Sequence, residues 1–557
     1  DDLLNRNLKR RGEILKAGSF SPAPRAARPV AAMARQAVSP APAEAQITIL
    51  NEPLTPASPA PVGVPSSSIK PAFRLDPVYA WLTDNQKINR TGLLDSYPDD
   101  PAMEDQGFTY DQAVAGAALL QAGRIAEAKK IFDFYSSIWD GTGFWTVYHT
   151  QFSEGPKTEH RKGMGPTASV ALFAISYYAA TGDEKALELA EKIAIWIQSL
   201  PGSGSGARAA GASNSRLNPD PGTLFSTEDN LGYYALLSAL VKILPDSDDD
   251  KASFRAEAQD LRRWFGRQVY RADSGLFKRG EGDDTNVLDA NSAAVLALGV
   301  RGLLGLKAAH SNFTDFDLGT FVGKIESAFA VDAAGEFGAS DPALWKGFDF
   351  SDSANARAVG RRGVNWVEGT AQMIAVYDTL ARYYEGLGDA ANAEPYQKKR
   401  DALIAANLRQ NIVNADPAAA SSAFRYTDAH GVRVFVDGDW ELSKGRSVAS
   451  TAWAVLAQKG VNPFSPVGAL ADQEEPPVGL SGMDTDTTNP SPAEESAAMT
   501  PQANPPAPSD QAILDDFMIL VEINPRASEI HAILESAIGV TSPWDDVEKQ
   551  ILLKNVS

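Results

Sequence analysis

The chain has 557 residues, of which 44% are hydrophobic and 22% charged, so it is long enough to bury a large core. Its net charge of -20 argues against nucleic acid or anionic membranes as partners, because both select basic surfaces, whereas a neutral or cationic ligand suits an acidic surface. The absence of cysteine excludes disulfides and thiolate chemistry, and the five scattered histidines do not form the close pair typical of a zinc site. We therefore expect no metal and no cofactor.

Segments rich in proline flank the central part of the sequence. Residues 1–70 contain a tract of Pro, Ala and Ser without periodicity, and residues 465–510 combine Pro with acidic residues. Such segments lack the apolar area that offsets the cost of ordering a chain, so we predict a disordered N-terminal tether and an acidic linker. Residues 511–557 are predicted to form a short helical segment, small for a unit that folds alone.

The sequence gives two indications about location. No run of about 18 apolar residues occurs, so we predict no membrane span. The first twenty residues lack the apolar core of a signal peptide, which means that a signal was removed or that the chain is an excerpt of a longer one. We expect an exported protein or part of a larger modular protein.

Residues 71–464 show a helical period almost throughout. Helices are predicted near residues 75–86, 108–122, 124–138, 166–181, 183–199, 226–244, 250–268, 289–306, 316–329, 364–387, 389–411 and 447–458. They come in pairs joined by short turns such as "ATGDEKA".

The two helices of a pair differ in polarity. The helix in "GPTASVALFAISYYAATG" is small or apolar almost all round, as a helix buried on every side must be, whereas its partner "DEKALELAEKIAIWIQSL" has one apolar stripe and one charged face. This alternation predicts an inner and an outer set of helices. Six such hairpins closed on themselves make an all-α (α/α)6 toroid, whose inner helices all begin at the end that carries the longer loops.

Acidic residues stand in the first turns of four predicted inner helices, at Asp111, Glu228, Asp289 and Glu368. A single acid there means little, because negative charge complements the partial positive charge of any helix N-terminus. Aromatic and polar neighbours make the group more informative, since rings stack on the C–H faces of sugars while acids and amides bind their hydroxyls. The predicted substrate-binding residues are Tyr110, Trp145, His160, Asp229, Asn230, Asp289, Trp366, Trp440 and Arg446.

Cleavage of a glycosidic bond requires one protonated carboxyl group and one ionised carboxylate. Glu368 lies beside Trp366 in apolar sequence, where burial raises a carboxyl pKa, so it is the candidate acid. Asp111 or Glu228 is the candidate ionised partner.

Five segments resemble bacterial proteins of the six-hairpin glycosidase superfamily: "GLLDSYPDD", "FTYDQAVAGAALLQAG", "STEDNLGYYALLSAL", "NWVEGTAQM" and "STAWAVLAQKGVNPF". The resemblance covers about residues 73–464. It implies a toroid that acts on a poly- or oligosaccharide through acids at the inner-helix N-termini, which would be Asp111, Glu228 and Glu368 in this chain. The N-acylglucosamine epimerases share the toroid but use histidines on inner helices, and no predicted inner helix here contains one. Polysaccharide lyases of similar shape need a Tyr or His base, for which Tyr110 and His160 are available.

Two non-enzymatic alternatives remain open at this stage. A toroid without activity could bind a glycan or a protein, since a fold alone does not imply a reaction. The Ala-rich hairpins are also similar to TPR repeats, although no fixed spacing near 34 residues recurs.

Overall fold

The computed structural model describes residues 73–466, except for 153–160, 214–219, 311–312, 314–315, 415–420 and 437–439. The predicted tether, acidic linker and C-terminal segment lie outside these ranges and remain predictions. None of the helices in the described ranges is both long and apolar enough to cross a membrane.

The described residues are mainly α-helical. The helices are α1 (Leu75–Lys87), α2 (Thr109–Gln121), α3 (Ile125–Ile138), α4 (Met164–Thr181), α5 (Glu184–Gln198), α6 (Thr227–Ile243), α7 (Asp249–Trp264), α8 (Leu288–Ala309), α9 (Leu318–Phe329), α10 (Ser353–Ala358), α11 (Val367–Gly386), α12 (Ala390–Ala402) and α13 (Val448–Lys459). All twelve helices predicted within residues 71–464 are present, and among the α-helices of the described residues only the short α10 was not predicted.

Six of the helices form a closed inner ring. Each of α2, α4, α6, α8, α11 and α13 packs against the next one in that order, and α13 packs against α2. Helices α1, α3, α5, α7, α9 and α12 lie outside this ring, each against inner helices. The closed ring confirms the (α/α)6 toroid and differs from an open TPR-like solenoid, whose first and last helices would not meet.

Burial separates the two sets of helices as their sequences predict. Every residue of α13 from Val448 to Gln458 is buried, because the helix has neighbours on all sides. Outer helix α3 buries only a stripe that includes Ala128, Ile131 and Tyr135, at the spacing of one helical face. Gly182 ends α4 with a φ of 72°, which favours glycine and allows the tight turn into α5.

Short antiparallel strands shape the loops that approach the inner helices. They are β1 (Gln106–Phe108) paired with β2 (Val147–His149), β3 (Tyr270–Arg271) with β4 (Leu276–Gly280), β4 with β5 (Asp283–Asn286), β6 (Ala330–Asp332) with β7 (Trp345–Phe348), and β8 (Ile412–Asn414) with β9 (Ser422–Phe424). None of these strands was predicted, because two to five residues are too few to show a strand period.

The start of α11 differs from the prediction. A helix was predicted from residue 364, with Trp366 in its first turn, but α11 begins at Val367 and Trp366 is its N-cap. The backbone N–H of Trp366 donates to the Phe348 carbonyl, 2.9 Å away, and that of Val367 donates to Tyr426, 3.2 Å away. These bonds to neighbouring segments hold the chain extended up to the helix, so Glu368 is the second helical residue.

Candidate active site

The second residues of the inner helices form a ring at the loop-bearing end of the toroid. In chain order they are Tyr110, Gly165, Glu228, Asp289, Glu368 and Ala449. Three consecutive inner helices, α6, α8 and α11, therefore each contribute a carboxyl group at the same helical position. Because these helices pack side by side, the three acids influence one another.

Glu228 and Asp289 form a hydrogen-bonded pair of carboxyl groups. Burial raises the pKa of Glu228 well above its ordinary value, and the negative charges of Asp289 and Asp229 raise it further. Burial also raises the pKa of Asp289, but the backbone N–H of Ala290, 2.7 Å from its Oδ1, and the bond from Glu228 oppose that effect. The hydrogen bond between them raises the pKa of Glu228 and lowers that of Asp289, so Glu228 is the donor of the pair and Asp289 the acceptor.

Glu368 is held separately by its own set of donors. The Tyr110 hydroxyl donates to Oε1 of Glu368 at 2.7 Å, and the Gln372 amide donates to the same oxygen at 3.4 Å. The Trp453 indole N–H in turn donates to the Tyr110 hydroxyl at 2.7 Å. Burial raises the pKa of Glu368 to about 8, although the Tyr110 bond acts in the opposite direction. Glu368 is therefore protonated at neutral pH, and Oε2 is the oxygen available to carry that proton.

Asp111 lies near Glu368 but points into the protein. Its side chain is 4% exposed and bonds Ser96, and Oδ2 has no hydrogen-bond partner among the described residues. Burial raises the pKa of Asp111 to about 7, which disfavours its ionised form. Its role as the ionised partner remains a prediction. Its charge, when present, raises the pKa of Glu368.

An aromatic wall stands beside these acids. It consists of Tyr97, Phe108, Phe350, Trp366, Tyr426 and Trp440, which contact one another edge to face or stacked. Trp440 and Phe108 are half-buried and present the accessible part of the wall, whereas Trp366 is 6% exposed and stacks on Phe350 at 4.4 Å. Burial raises the pKa of the Tyr97 and Tyr426 hydroxyls, and the charge of Glu368, when Glu368 is ionised, raises both further.

Two predicted binding residues, Asn230 and Arg446, make contacts with neighbouring loops, and their binding role remains a prediction. Asn230 is fully buried, and its amide accepts the backbone N–H of Arg208 at 2.9 Å and donates to the Arg208 carbonyl at 3.0 Å. Nε of Arg446 donates to both carboxylate oxygens of Asp99, to Oδ1 at 3.0 Å and to Oδ2 at 2.8 Å. Asn230 thus holds a loop against α6, and Arg446 joins two loops at the rim.

The remaining predicted residues lie around the rim or outside the described ranges. Trp145 is half-buried near the start of α2 and lies 5.3 Å from the Lys162 ammonium group. Asp229 lies against Gly165 of α4, so closely that a Cβ on Gly165 would be 2.0 Å from Oδ1 of Asp229. Burial raises the pKa of Asp229 to about 6. His160 falls in a range that the structure does not describe and remains a prediction.

Several contributors to the site were not predicted. Gln372 stands one helical turn after Glu368, so the helical period could have indicated it, and Ser292 donates to its Oε1 at 2.7 Å. Tyr97 lies within the "GLLDSYPDD" segment on which the resemblance rests, whereas Tyr426 follows β9 and carries no sequence signal.

A small, partly open apolar depression lies beside Tyr110, between α2, α4 and α13. Its walls include Val114, Phe173, Trp453 and Phe464, and within the described residues none of the acids lines it. The carboxyl groups therefore lie at the mouth of the inner ring and not in this apolar space.

Comparison with known proteins gives structural neighbours only. No protein-family model matches the sequence, and no curated protein matches it significantly. The structural neighbours include a sugar epimerase from a ruminal bacterium, at 14% identity over 69% of this chain and 97% of that chain with a TM-score of 0.47. Cellobiose 2-epimerase from Bacillus thermoamylovorans B4167 is another, at 12% identity over 68% of this chain and 98% of that chain with a TM-score of 0.45. A glycosidase is a third, at 12% identity over 69% of this chain and 95% of that chain with a TM-score of 0.45. The toroid itself follows from the closed ring of helix contacts within this chain.

Replacing Tyr110 with phenylalanine is expected to raise the pKa of Glu368 above about 8, because the hydroxyl that stabilises its ionised form is lost. Infrared titration of the carboxyl band, as a difference against Glu368→Gln, measures the shift. Tyr79→Phe is the control, since this buried hydroxyl on α1 makes no hydrogen bond within the described residues. An unchanged Glu368 pKa in Tyr110→Phe would show that the bond is not formed in solution.

Proposed function

We propose that the protein is a glycoside hydrolase that acts on a poly- or oligosaccharide. The observation that carries the proposal is a buried acid, Glu368, whose pKa is raised to about 8 and which lies at the mouth of the inner ring near the hydrogen-bonded carboxyl groups of Glu228 and Asp289. Protonated and ionised carboxyl groups at one site are the two components that glycosidic cleavage needs.

The hydrogen bond between Glu228 and Asp289 constrains the roles. Carboxyl groups that flank a glycosidic bond stand at least about 5 Å apart, and inverting enzymes need more. Glu228 and Asp289 are too close to flank a sugar ring, so they act as one unit. Glu368 donates the proton to the leaving oxygen, and the pair supplies the charge, carried by Asp289, that activates water or attacks the sugar.

The aromatic wall supplies a surface for the sugar ring. Trp440 and Phe108 present partly exposed faces beside the acids, and such faces stack on the C–H groups of a pyranose. An uncharged glycan also suits a protein with a net charge of -20.

Alternative reactions are less well supported by the site. A lyase would use Tyr110 as a base, but burial raises the pKa of its hydroxyl well above the ordinary value, which disfavours the ionised form. An epimerase of the kind considered above would use inner-helix histidines, and the sequences of the six inner helices contain none. Sugar epimerases are nevertheless among the structural neighbours, so sugar isomerisation belongs in the test.

The proposed catalytic domain comprises residues 71–464, with residues 1–70 as a tether, 465–510 as a linker and 511–557 as an added helical segment. This organisation suits an exported or modular glycan-active enzyme, and it remains a proposal.

The proposal is tested by incubating the purified chain with a panel of α- and β-glucans and their oligosaccharides. Reducing-sugar release is expected at neutral pH and is expected to fall as the pH rises through about 8, because Glu368 then loses the proton that it must donate. Chromatography of the products distinguishes hydrolysis from epimerisation. Retardation of the protein in a glycan-containing gel without any change in the glycan would identify a binding toroid instead.

A further inference from the structure

A buried polar side chain occupies the fourth position of every inner helix. These residues are Gln112, Thr167, Asn230, Asn291, Thr370 and Thr451, and each is 0% exposed. Each accepts a hydrogen bond from a backbone N–H in the segment that precedes its helix, and the respective donors are Leu94, Phe144, Arg208, Phe277, Phe348 and Phe424. The six distances lie between 2.8 and 3.1 Å. We call these six side chains the mouth clamps.

The mouth clamps form additional bonds that depend on residue type. The amides Gln112, Asn230 and Asn291 also donate to the carbonyl of the residue whose N–H they accept, at 2.9 to 3.0 Å. The hydroxyls of Thr167 and Thr451 donate to the backbone carbonyl four residues earlier, at 2.7 and 2.6 Å. A buried backbone N–H without a partner is costly, so each clamp fixes its helix against the preceding segment.

The clamps stand two residues after the residues that form the candidate site. Glu228 precedes Asn230, Asp289 precedes Asn291, and Glu368 precedes Thr370 by that spacing. A first turn that is fixed at its fourth residue holds its second residue in place as well, because both belong to the same rigid helical turn.

Thr370 differs from the other two threonine clamps in donating to a side chain instead of to the backbone carbonyl four residues earlier. Its hydroxyl accepts the Phe348 N–H at 2.9 Å and donates to Oδ1 of Asn365 at 2.8 Å. The chain leaves room for this contact at Gly347, whose φ is 149° and where a Cβ would lie 2.0 Å from Oδ1 of Asn365. The Asn365 N–H donates in turn to Oδ1 of Asp428 at 2.8 Å, so bonds run from the 428 loop to β7 through Thr370.

We infer that Thr370, the mouth clamp of α11, is a positioning residue for the site and sets Glu368 against Tyr110. The inference rests on the proposed role of Glu368. It predicts that the clamp at Thr370 affects both activity and stability. Thr167 and Thr451, which lie on helices without a carboxyl group at the second position, are predicted to affect stability only.

Thr370→Val and Thr451→Val form a matched pair of variants. Both remove a buried hydroxyl that accepts a phenylalanine N–H at 2.9 Å, so both are expected to lower the melting temperature by a similar amount, roughly 1–4 °C. Glycan hydrolysis is expected to fall about 10- to 100-fold in Thr370→Val, because small displacements of a catalytic group are costly, and less than threefold in Thr451→Val. Thr370→Ser, which keeps the hydroxyl, is expected to recover most of the activity. An equal activity loss in both valine variants, or none in Thr370→Val, overturns the inference.

A second measurement keeps the inference separate from the proposed reaction. If the wild-type chain cleaves no glycan in the panel, the hydrolase proposal fails, and infrared titration of the Glu368 carboxyl then decides the positioning role. A changed Glu368 pKa in Thr370→Val but not in Thr451→Val supports positioning. An identical Glu368 pKa in the wild type and in both variants overturns it.

Discussion

Replacement of Glu368 by glutamine is expected to lower glycan hydrolysis by about 10²- to 10⁴-fold, which is the usual contribution of a general acid. Glutamine preserves the shape of the protonated carboxyl and can still accept the Tyr110 hydroxyl, but it has no proton to donate to a leaving oxygen. Initial rates of reducing-sugar release at pH 7, compared with the wild type, provide the measurement. The control is Glu184→Gln, which changes an exposed first-turn acid of the outer helix α5 and is expected to leave the rate unchanged.

Glu368→Gln is also expected to weaken the pH dependence of the free energy of unfolding. The folded-state pKa of Glu368, about 8, lies above its ordinary value of 4.5, so its contribution to stability is fully present below pH 4.5 and is lost as the pH rises through 8. Glutamine cannot ionise, so Glu368→Gln is expected to lose less stability than the wild type between pH 5 and pH 8. Denaturant titrations at both pH values test this, and an equal loss in the two proteins would show that Glu368 is not buried in its protonated form.

Replacement of Asp349 by alanine is expected to lower the free energy of unfolding by about 3–5 kcal/mol, the range for removing one partner of a buried ion pair. The side chains of Asp349 and Arg361 are 0% and 2% exposed, and Nη2 of Arg361 lies 2.8 Å from Oδ1 of Asp349. Asp349 also accepts the Val364 N–H at 2.8 Å. The variant would leave a buried guanidinium group unpaired and release the segment that leads into α11.

Urea denaturation at pH 7 measures this loss. The matched control is Asp133→Ala, which breaks the exposed pair with Lys129 on α3 and is expected to change the unfolding midpoint little, because solvent screens such pairs. A similar loss of unfolding free energy in the two variants would mean that burial does not make the Asp349–Arg361 pair more costly to break than an exposed pair.

The helices and their inner or outer placement could be predicted because both depend on local information. A charged face on the α5 sequence and its absence on α4 follow directly from the helical period. Ring closure was also predictable, since six hairpins of this kind bury their remaining apolar surface when the last one packs against the first. The start of α11 was not, because the bonds from Trp366 and Val367 to distant segments override the local helix signal.

The candidate site was predictable in its members but not in their relations. First-turn positions identified Glu228, Asp289 and Glu368, yet the hydrogen bond between Glu228 and Asp289 joins different helices and has no sequence signal. Asn230 was predicted as a binding residue because it is an amide in a first turn that also carries acids, and sequence does not show that it bonds the backbone of Arg208. For Arg446, sequence cannot indicate that the rim acid Asp99, far away in the chain, takes up its charge.

Closure of the ring through α13 has a consequence for biosynthesis. Helix α13 covers the flanks of both α2 and α11, and Gln458 donates to the carbonyl of Phe73 near the start of α1. A nascent chain must therefore be made as far as residue 459 before its earliest helices receive their last neighbour. Until then apolar surface on α2 and α11 stays open to water, and chaperones that shield such surface have their longest opportunity to act on this protein during that interval.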